Sequence, residues 1–341
     1  MKAVLFLCGF SFLSSLILQA QPVSSNAVFD QITSVTALGN NQLLLTMFAG
    51  PQKAAVYDIA TDSILYRFLP EGKGPGEATA VLSAIYDEEK SQFTFYSQNH
   101  KWIKTDLKGN LIQESNTTAI STVNHLENGF DGSSFLVFPS LYIPLQVIQE
   151  QKPIPVSLTI DSENLNVIDS LMLTTQELGL NEIKDVNKVN SVSVGLIGIQ
   201  LDKDRTLLTY EGSRYLFLFK GKELIQKKAV DIPEHFGIRI STRNGHIGTQ
   251  AAAYFSYLQR LENGTVLFSA GNTHQEIPFG ATYAQVTDSD EFILHHENLY
   301  DTFHEEEGGY NHIIAGSKRI WFSNFYFTGY SLFIEELLED E

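Results

Sequence analysis

Short apolar runs recur along this chain with turn-forming clusters between them, and a sustained helical period is absent. The chain therefore reads as strands. Residues 28–32 and 33–38 are strand-like, the turn Gly39-Asn40-Asn41 follows, and residues 43–48, 54–59 and 64–68 continue a meander. Beyond a glycine-rich stretch the phrase returns at residues 82–86, 93–96 and 102–107, closing at Lys108-Gly109-Asn110. A looser copy occupies residues 135–138, 156–160 and 167–171, and a clear one residues 194–201, 207–210 and 215–219, continuing from Leu224. A fifth runs through residues 254–261, 265–268 and 283–286, and the last through 313–315, 320–322, 325–327 and 330–334. About six repeats at a period of roughly 50 residues mark a repeat architecture.

Several of these runs are apolar on both faces, as in Tyr215-Leu216-Phe217-Leu218-Phe219. A half-exposed sandwich strand alternates, whereas a strand packed between two neighbouring sheets does not. The pattern predicts an all-β fold: one six-bladed β-propeller of four-stranded antiparallel blades over residues 21–341, with a short polar helix near 174–180. The final repeat lacks its outermost strand, and the segment around Val28-Phe29-Asp30 is available to supply it beside residues 330–334. The expectation is a ring closed by an N-terminal strand, which removes an open sheet edge.

Glycines 72, 74 and 76 around Pro75 suit a tight corner between two blades. Closely spaced glycines can also cradle phosphate. Gly72-Lys73 is followed by Gly74-Pro75 rather than by Ser or Thr at a helix start, and no third glycine follows at dinucleotide-fold spacing. The segment from Phe68 to Glu77, with the Asp87 turn, the Phe93 strand and Asp106-Leu107-Lys108-Gly109-Asn110, resembles the TolB-like six-bladed propeller family of exported bacterial proteins. Ala78 stands where family members usually carry an aromatic residue. The resemblance implies a fold and an envelope location, and no catalytic residues.

Lys2, an apolar run to Leu18 and Gln19-Ala20 before Gln21-Pro22 have the layout of a secretory signal peptide, residues 1–20, cleaved after Ala20. The run is short for a membrane span and lacks a charged stop-transfer flank. Cys8 lies inside the apolar region after Leu7, which disfavours a lipid-modified N-terminus. It is the sole cysteine, so a chain cleaved after Ala20 forms no disulfide, and it is long enough to bury a core without one. Loss of Lys2 leaves 22 bases against 40 acids, taking the formal charge from −17 to −18. Nucleic acid and anionic membrane are poor partners for such a surface.

Candidate chemistry is sparse. The densest titratable cluster is His295-His296-Glu297 with His304-Glu305-Glu306-Glu307 and His312, but zinc-protease spacing is missing and a solvated acidic loop is expected. Asp202-Lys203-Asp204 and Asp288-Ser289-Asp290 fit hairpin turns rather than calcium loops. The sequence has no Gly-x-Ser-x-Gly elbow, no Trp-Asp blade signature and no sialidase-type turn. Arg239 and Arg243, with His235 and His246, concentrate cations in an acidic chain within a long connection between the fourth and fifth repeats. These four are the expected ligand-binding residues, at one mouth of the propeller, for an anionic ligand or partner.

The resulting expectation is a periplasmic or extracellular protein that binds an envelope protein or a small ligand. No metal, cofactor or catalysis is expected, and no membrane span after signal cleavage. The alternative is a hydrolase or lyase acting on a sugar or lactone in the central channel.

Overall fold

The computed structural model describes residues 23–25, 27, 29–39, 41–116, 120, 122–230, 237–243, 246–252, 255, 257–261, 263–269, 280–298, 310–323 and 332–337. The expected signal segment, residues 1–20, lies outside them.

Most of the strands come in antiparallel groups of four. After β1 (Val23–Ser24), strands β2 (Ile32–Gly39), β3 (Gln42–Met47), β4 (Gln52–Asp58) and β5 (Ser63–Pro70) form one sheet in sequential order. Strands β6 (Val81–Asp87), β7 (Gln92–Ser97), β8 (Lys101–Asp106) and β9 (Leu111–Asn116) form the next. Strands β10 (Val123–Asn128), β11 (Ser134–Pro144), β12 (Pro153–Asp161) and β13 (Val167–Thr174) follow, then β14 (Ser191–Gln200), β15 (Arg205–Tyr210), β16 (Tyr215–Lys220) and β17 (Glu223–Ala229). These two groups are one eight-stranded sheet, because β11 is long. Its first half pairs with β10 and β12, and its second half pairs with β14 from Ser140↔Gly195 to Pro144↔Ser191.

Strands β18 (Gly237–Arg243) and β19 (His246–Ala252) make a two-stranded hairpin. Strands β20 (Tyr257–Arg260), β21 (Val266–Ser269), β22 (Gly280–Val286) and β23 (Phe292–Asn298) form another four-stranded sheet. The last sheet is β24 (Tyr310–Ala315), β25 (Lys318–Ser323) and β26 (Leu332–Glu336), with β1 on the far side of β26. Among the described residues, then, the sheets are four of four strands, one of eight and one of two, where six separate four-stranded sheets were expected.

The core is divided into layers between consecutive sheets. Leu43, Leu45 and Tyr57 pack with Ile313, Ile320 and Phe322 from the last sheet, while Leu44, Val56 and Phe68 pack with Phe93, Phe95 and Ile103 from the next. Strand β3 thus buries both faces, as do β7, β8, β15 and β16. This is the physical reason for their unbroken apolar runs. The fourth strands β5, β9 and β17 are largely exposed and correspondingly polar or mixed. The first strands β2, β6, β10, β14, β20 and β24 touch in that order, and β24 also touches β2.

Several local expectations are corrected. The first long strand begins at Ile32; Phe29 and Asp30 lie outside any strand, and the N-terminal residues that pair with the last sheet are Val23, opposite Ile334, and Ser24, opposite Phe333. Thr174 ends β13, and residues 175–179 are turns leading into a 3₁₀ turn at Leu180–Glu182, because Gly179 at φ +77° interrupts helix there. A five-residue α-helix, α1 (Leu145–Gln149), lies in the connection from β11 to β12. The connection carrying Arg239 and Arg243 is the β18–β19 hairpin.

The glycine-rich corner is a clasp made by the chain itself. Gly76 takes φ +68°, a conformation costly for other residues. The N–H of Gly74 donates to Glu77 Oε2 at 2.7 Å and that of Gly76 to Glu114 Oε2 at 2.9 Å. Lys101 Nζ, buried beneath, donates to the carbonyl of Gly74 at 2.7 Å and stands 3.4 Å from those of Lys73 and Glu77 and from Glu114 Oε2. The amides that could hold a phosphate are thus occupied by the protein's own carboxylates.

Candidate functional site

The first strands enclose a cavity of about 780 Å³ to which all six contribute. Polar side chains on these strands reach sideways to the backbone of a neighbour, which fixes their spacing. Thr33 Oγ1 on β2 donates to the Val81 carbonyl on β6 at 2.8 Å, and Asn128 Nδ2 on β10 to Tyr86 at 2.6 Å. Asn124 Nδ2 on β10 donates to Leu196 on β14 at 3.1 Å. Gln259 on β20 both donates to the Ile314 carbonyl, at 2.6 Å, and accepts from its N–H, at 2.7 Å. The Tyr257 hydroxyl donates to the carbonyl of Val35 on β2.

On β10 the register shifts between Val123 and His125, making Asn124 an extra residue against β11. A bulge of this kind re-aims side chains, and here Asn124, His125 and Glu127 all line the cavity. Glu211 enters from the turn after β15, its N–H donating to the Gly195 carbonyl at 2.9 Å. Gly195 leaves room for two side-chain ends: a Cβ there would stand 2.8 Å from Asn124 Oδ1 and 2.9 Å from the Glu211 carboxyl carbon, so both would have to shift. Arg260 on β20 faces Glu127 at 4.0 Å.

Protein surrounds these groups, and burial governs their protonation. It raises Glu127 to about 7 against the partial opposition of Arg260. It likewise raises Glu211 to about 7, opposed by the hydrogen bond from Asn124. His125 is pushed down to about 4 by burial, so its ring is neutral at pH 7. Its Nε2 is buried with no hydrogen-bond partner and stands 4.0 Å from Glu127 Oε2. Two carboxyls that titrate near neutrality beside a neutral imidazole can accept hydrogen bonds, exchange protons or hold a cation.

Of the residues expected to bind an anion, Arg239 and Arg243 lie on β18 and His246 begins β19. Arg243 pairs with His246 at the end of the hairpin, and Arg239 pairs with Gln250. His235 lies outside the described residues. The hairpin thus joins Arg243 and His246 in register.

The His295–His312 cluster is dispersed. His295, His296 and Glu297 belong to strand β23 rather than to a loop, and residues 304–307 lie outside the described set. His296 Nδ1 is 2.9 Å from Thr282 Oγ1. Glu297 accepts from Arg319 at 2.9 Å and from the Tyr283 hydroxyl at 2.8 Å. His312 is buried against Trp321, ring centroids 4.8 Å apart. Arg319 also faces buried Glu335 at 3.6 Å, and Trp321 Nε1 donates to Glu335 Oε2 at 2.8 Å. This network ties the last two sheets together. Among the described residues no three His, Cys, Asp or Glu converge as metal ligands, and no helix is long and apolar enough to cross a membrane.

Asp202 accepts from the N–H groups of Asp204 and Arg205 and from Arg205 Nε, and Asp290 faces Arg205 and Lys220, so both acidic turns bond within the fold. Sequence reading missed Glu127, Glu211 and Arg260. They are scattered over three groups of strands with no common spacing. A faint signal was present in Val123-Asn124-His125-Leu126-Glu127, polar residues at the head of a repeat whose other strands are apolar.

No family model matches the chain, and no curated protein does. Solved structures do. A member of the duf4221 family from Bacteroides vulgatus superposes with TM-score 0.60 at 9% identity, over 94% of this chain and 96% of that one. The β-propeller domain of Myceliophteria thermophila Cps50 (Swd1) gives 0.52 at 12%, over 93% and 100%. The WD40 β-propeller domain of Doa1 gives 0.51 at 9%, over 95% and 98%. At such identities the likeness defines the fold alone: the chain is a β-propeller.

Proposed function

We propose that this protein is an exported cell-envelope β-propeller, TolB-like in architecture, that binds a small polar ligand in its central cavity. The observation that carries this reading is the cavity itself: about 780 Å³, within the range of small-molecule sites, with half-buried ionisable groups brought together from separate strands. In this reading the propeller has six blades, β11 joining the third to the fourth. The pairing of Val23 and Ser24 with β26 supports a ring closed by the N-terminal strand. The secretory layout of residues 1–20 supports export to the periplasm or the extracellular space.

The experiment is a calorimetric screen of the intact protein against small sugars, amines and acids. Hits are repeated on Thr122→Trp, which places an indole where an exposed side chain lines the cavity. Ligands of the cavity bind wild type and lose affinity in the variant. A screen without hits, or hits indifferent to Thr122→Trp, refutes the cavity reading. Recovery of a mature N-terminus at Gln21 from the envelope fraction tests export separately.

A second reading, a hydrolase or lyase acting on a sugar or lactone, is favoured by one observation. Glu127 and Glu211 share one cavity and both titrate near pH 7, so one can hold a proton while the other is ionised. Turnover of aryl glycosides or lactones that disappears in both Glu127→Gln and Glu211→Gln would establish it.

A further inference from the structure

The cavity's ionisable lining is unbalanced. Among its described lining residues, Asp87, Glu88, Glu89, Glu127 and Glu211 contribute five carboxyls and Arg260 one guanidinium. Asp87 is offset by Lys90 at 3.4 Å, and Glu88 and Glu89 are exposed at the rim, where acids cost little. Glu127 and Glu211 are half-buried inside the cavity, where a carboxylate costs more than at the rim unless a cation offsets it. Arg260 meets Glu127 only at the 4.0 Å limit of an ion pair. Glu211 has the neutral amide of Asn124, and among the described residues no cation stands within ion-pair distance of it.

Two further observations show that the arrangement is built. Gly195 has no side chain beside the ends of Asn124 and Glu211, both of which a Cβ there would displace. His125, neutral and lining the same cavity, has a buried Nε2 without a hydrogen-bond partner. The groups offered to a guest are thus two carboxyls, able to accept N–H bonds, and a vacant ring nitrogen, which accepts in the Nδ1–H tautomer.

We propose that the cavity takes a small organic cation, a primary ammonium or guanidinium carried on a compact body, with Glu211 and Glu127 holding the charge. The inference rests on the cavity-binding reading above and names its ligand class. A bare metal ion fits poorly, since the space is far larger than an ion and no three ligands converge among the described residues. An anionic ligand would meet five carboxyls and one arginine. A small molecule, rather than a lysine or arginine side chain of a partner protein, is the form that matches a cavity of about 780 Å³ lined by residues of six strands.

The test is titration calorimetry on the intact protein with probes that differ in charge on a similar frame: glucosamine, N-acetylglucosamine and glucuronate, with agmatine and spermidine as amines of other shapes. The expected result is saturable binding of at least one amine, with N-acetylglucosamine and glucuronate about tenfold weaker or silent. Glu211→Gln and Glu127→Gln each weaken the amine about tenfold, as loss of a charged hydrogen bond does, while leaving the protein folded by circular dichroism. Tighter binding of the neutral or acidic probe, lost in Thr122→Trp, overturns the cationic assignment and leaves the cavity reading intact. Amine binding unchanged in both glutamine variants also overturns it. Binding of a lysine-rich peptide without any free amine overturns the small-molecule form. If no probe of any charge binds, both readings fall together.

Discussion

Lys101 Nζ and the Gly74 carbonyl, 2.7 Å apart, connect the second sheet to the corner that leads into it. A buried ammonium is stable only where acceptors replace its water, and the corner supplies backbone carbonyls together with Glu114. Lys101→Met removes the donor and leaves those acceptors buried. Stability should fall by about 3 kcal/mol in urea denaturation, and the loop at 72–77 should become a site of limited proteolysis. A variant as stable as wild type would show the clasp to be incidental.

Gln259 makes two hydrogen bonds to one residue of the neighbouring strand, the N–H and C=O of Ile314. Gln259→Leu preserves bulk but leaves that peptide unsatisfied at the joint between β20 and β24. A loss of about 2 kcal/mol is expected, measured by denaturation. Gln259→Glu should cost less at acid pH, where the protonated carboxyl can both donate and accept, than at neutral pH, where a carboxylate oxygen faces the Ile314 carbonyl.

The cavity carboxyls make stability depend on pH with a definite sign. Glu127 and Glu211 are raised from 4.5 to about 7 in the fold, so the folded state binds more protons than the unfolded one between those values. Their contribution is fully present below about pH 4.5 and is lost as pH rises through 7. His125, lowered to about 4, acts oppositely: its contribution is present above 6.5 and lost as pH falls. Glu127→Gln and Glu211→Gln isolate the first effect. Each variant should gain on wild type between pH 5 and 8, on the order of 2 kcal/mol. A gap independent of pH would place these carboxyls in ordinary solvent.

The N-terminal strand is short, yet it covers the open side of β26. Val23 and Ser24 pair there, the Ser25 N–H donates to the Leu332 carbonyl at 2.7 Å, and Ser25 Oγ donates to Asp62. If this closes the ring, deleting residues 21–25 should lower the melting temperature by several degrees and promote aggregation through the exposed edge. Truncated protein that melts like the intact chain and stays monomeric would refute closure.

Arg239 and Arg243 remain the expected contact for an anionic partner, now placed on a hairpin rather than in a loop. Arg239→Ala with Arg243→Ala should leave the fold intact and weaken capture of anionic envelope material by about tenfold or more, as loss of two charge-assisted contacts predicts. Unchanged capture would reduce both to surface charge.

The sequence alone determined most of the strands and the β-propeller class of the fold. Apolar runs such as residues 215–219 are buried on both faces in β16, and sandwiching between neighbouring sheets is the reason. Turn chemistry also acts locally, so Asp202-Lys203-Asp204 and Lys108-Gly109-Asn110 could be read in isolation. The helix expected at 174–180 failed because one αL glycine outweighs the weak propensity of a short polar segment. Tertiary structure decided three things that no local pattern records. It merged two groups of strands through the extra length of β11, and it turned His295-His296-Glu297 from an expected loop into a strand whose glutamate serves Arg319. It also brought Glu127, Glu211 and Arg260 to one cavity from three separate groups of strands. Strand formation follows from residues a few positions apart, whereas the ionisation of a carboxyl follows from whatever protein surrounds it, and that is assembled only when distant strands pack around a common space.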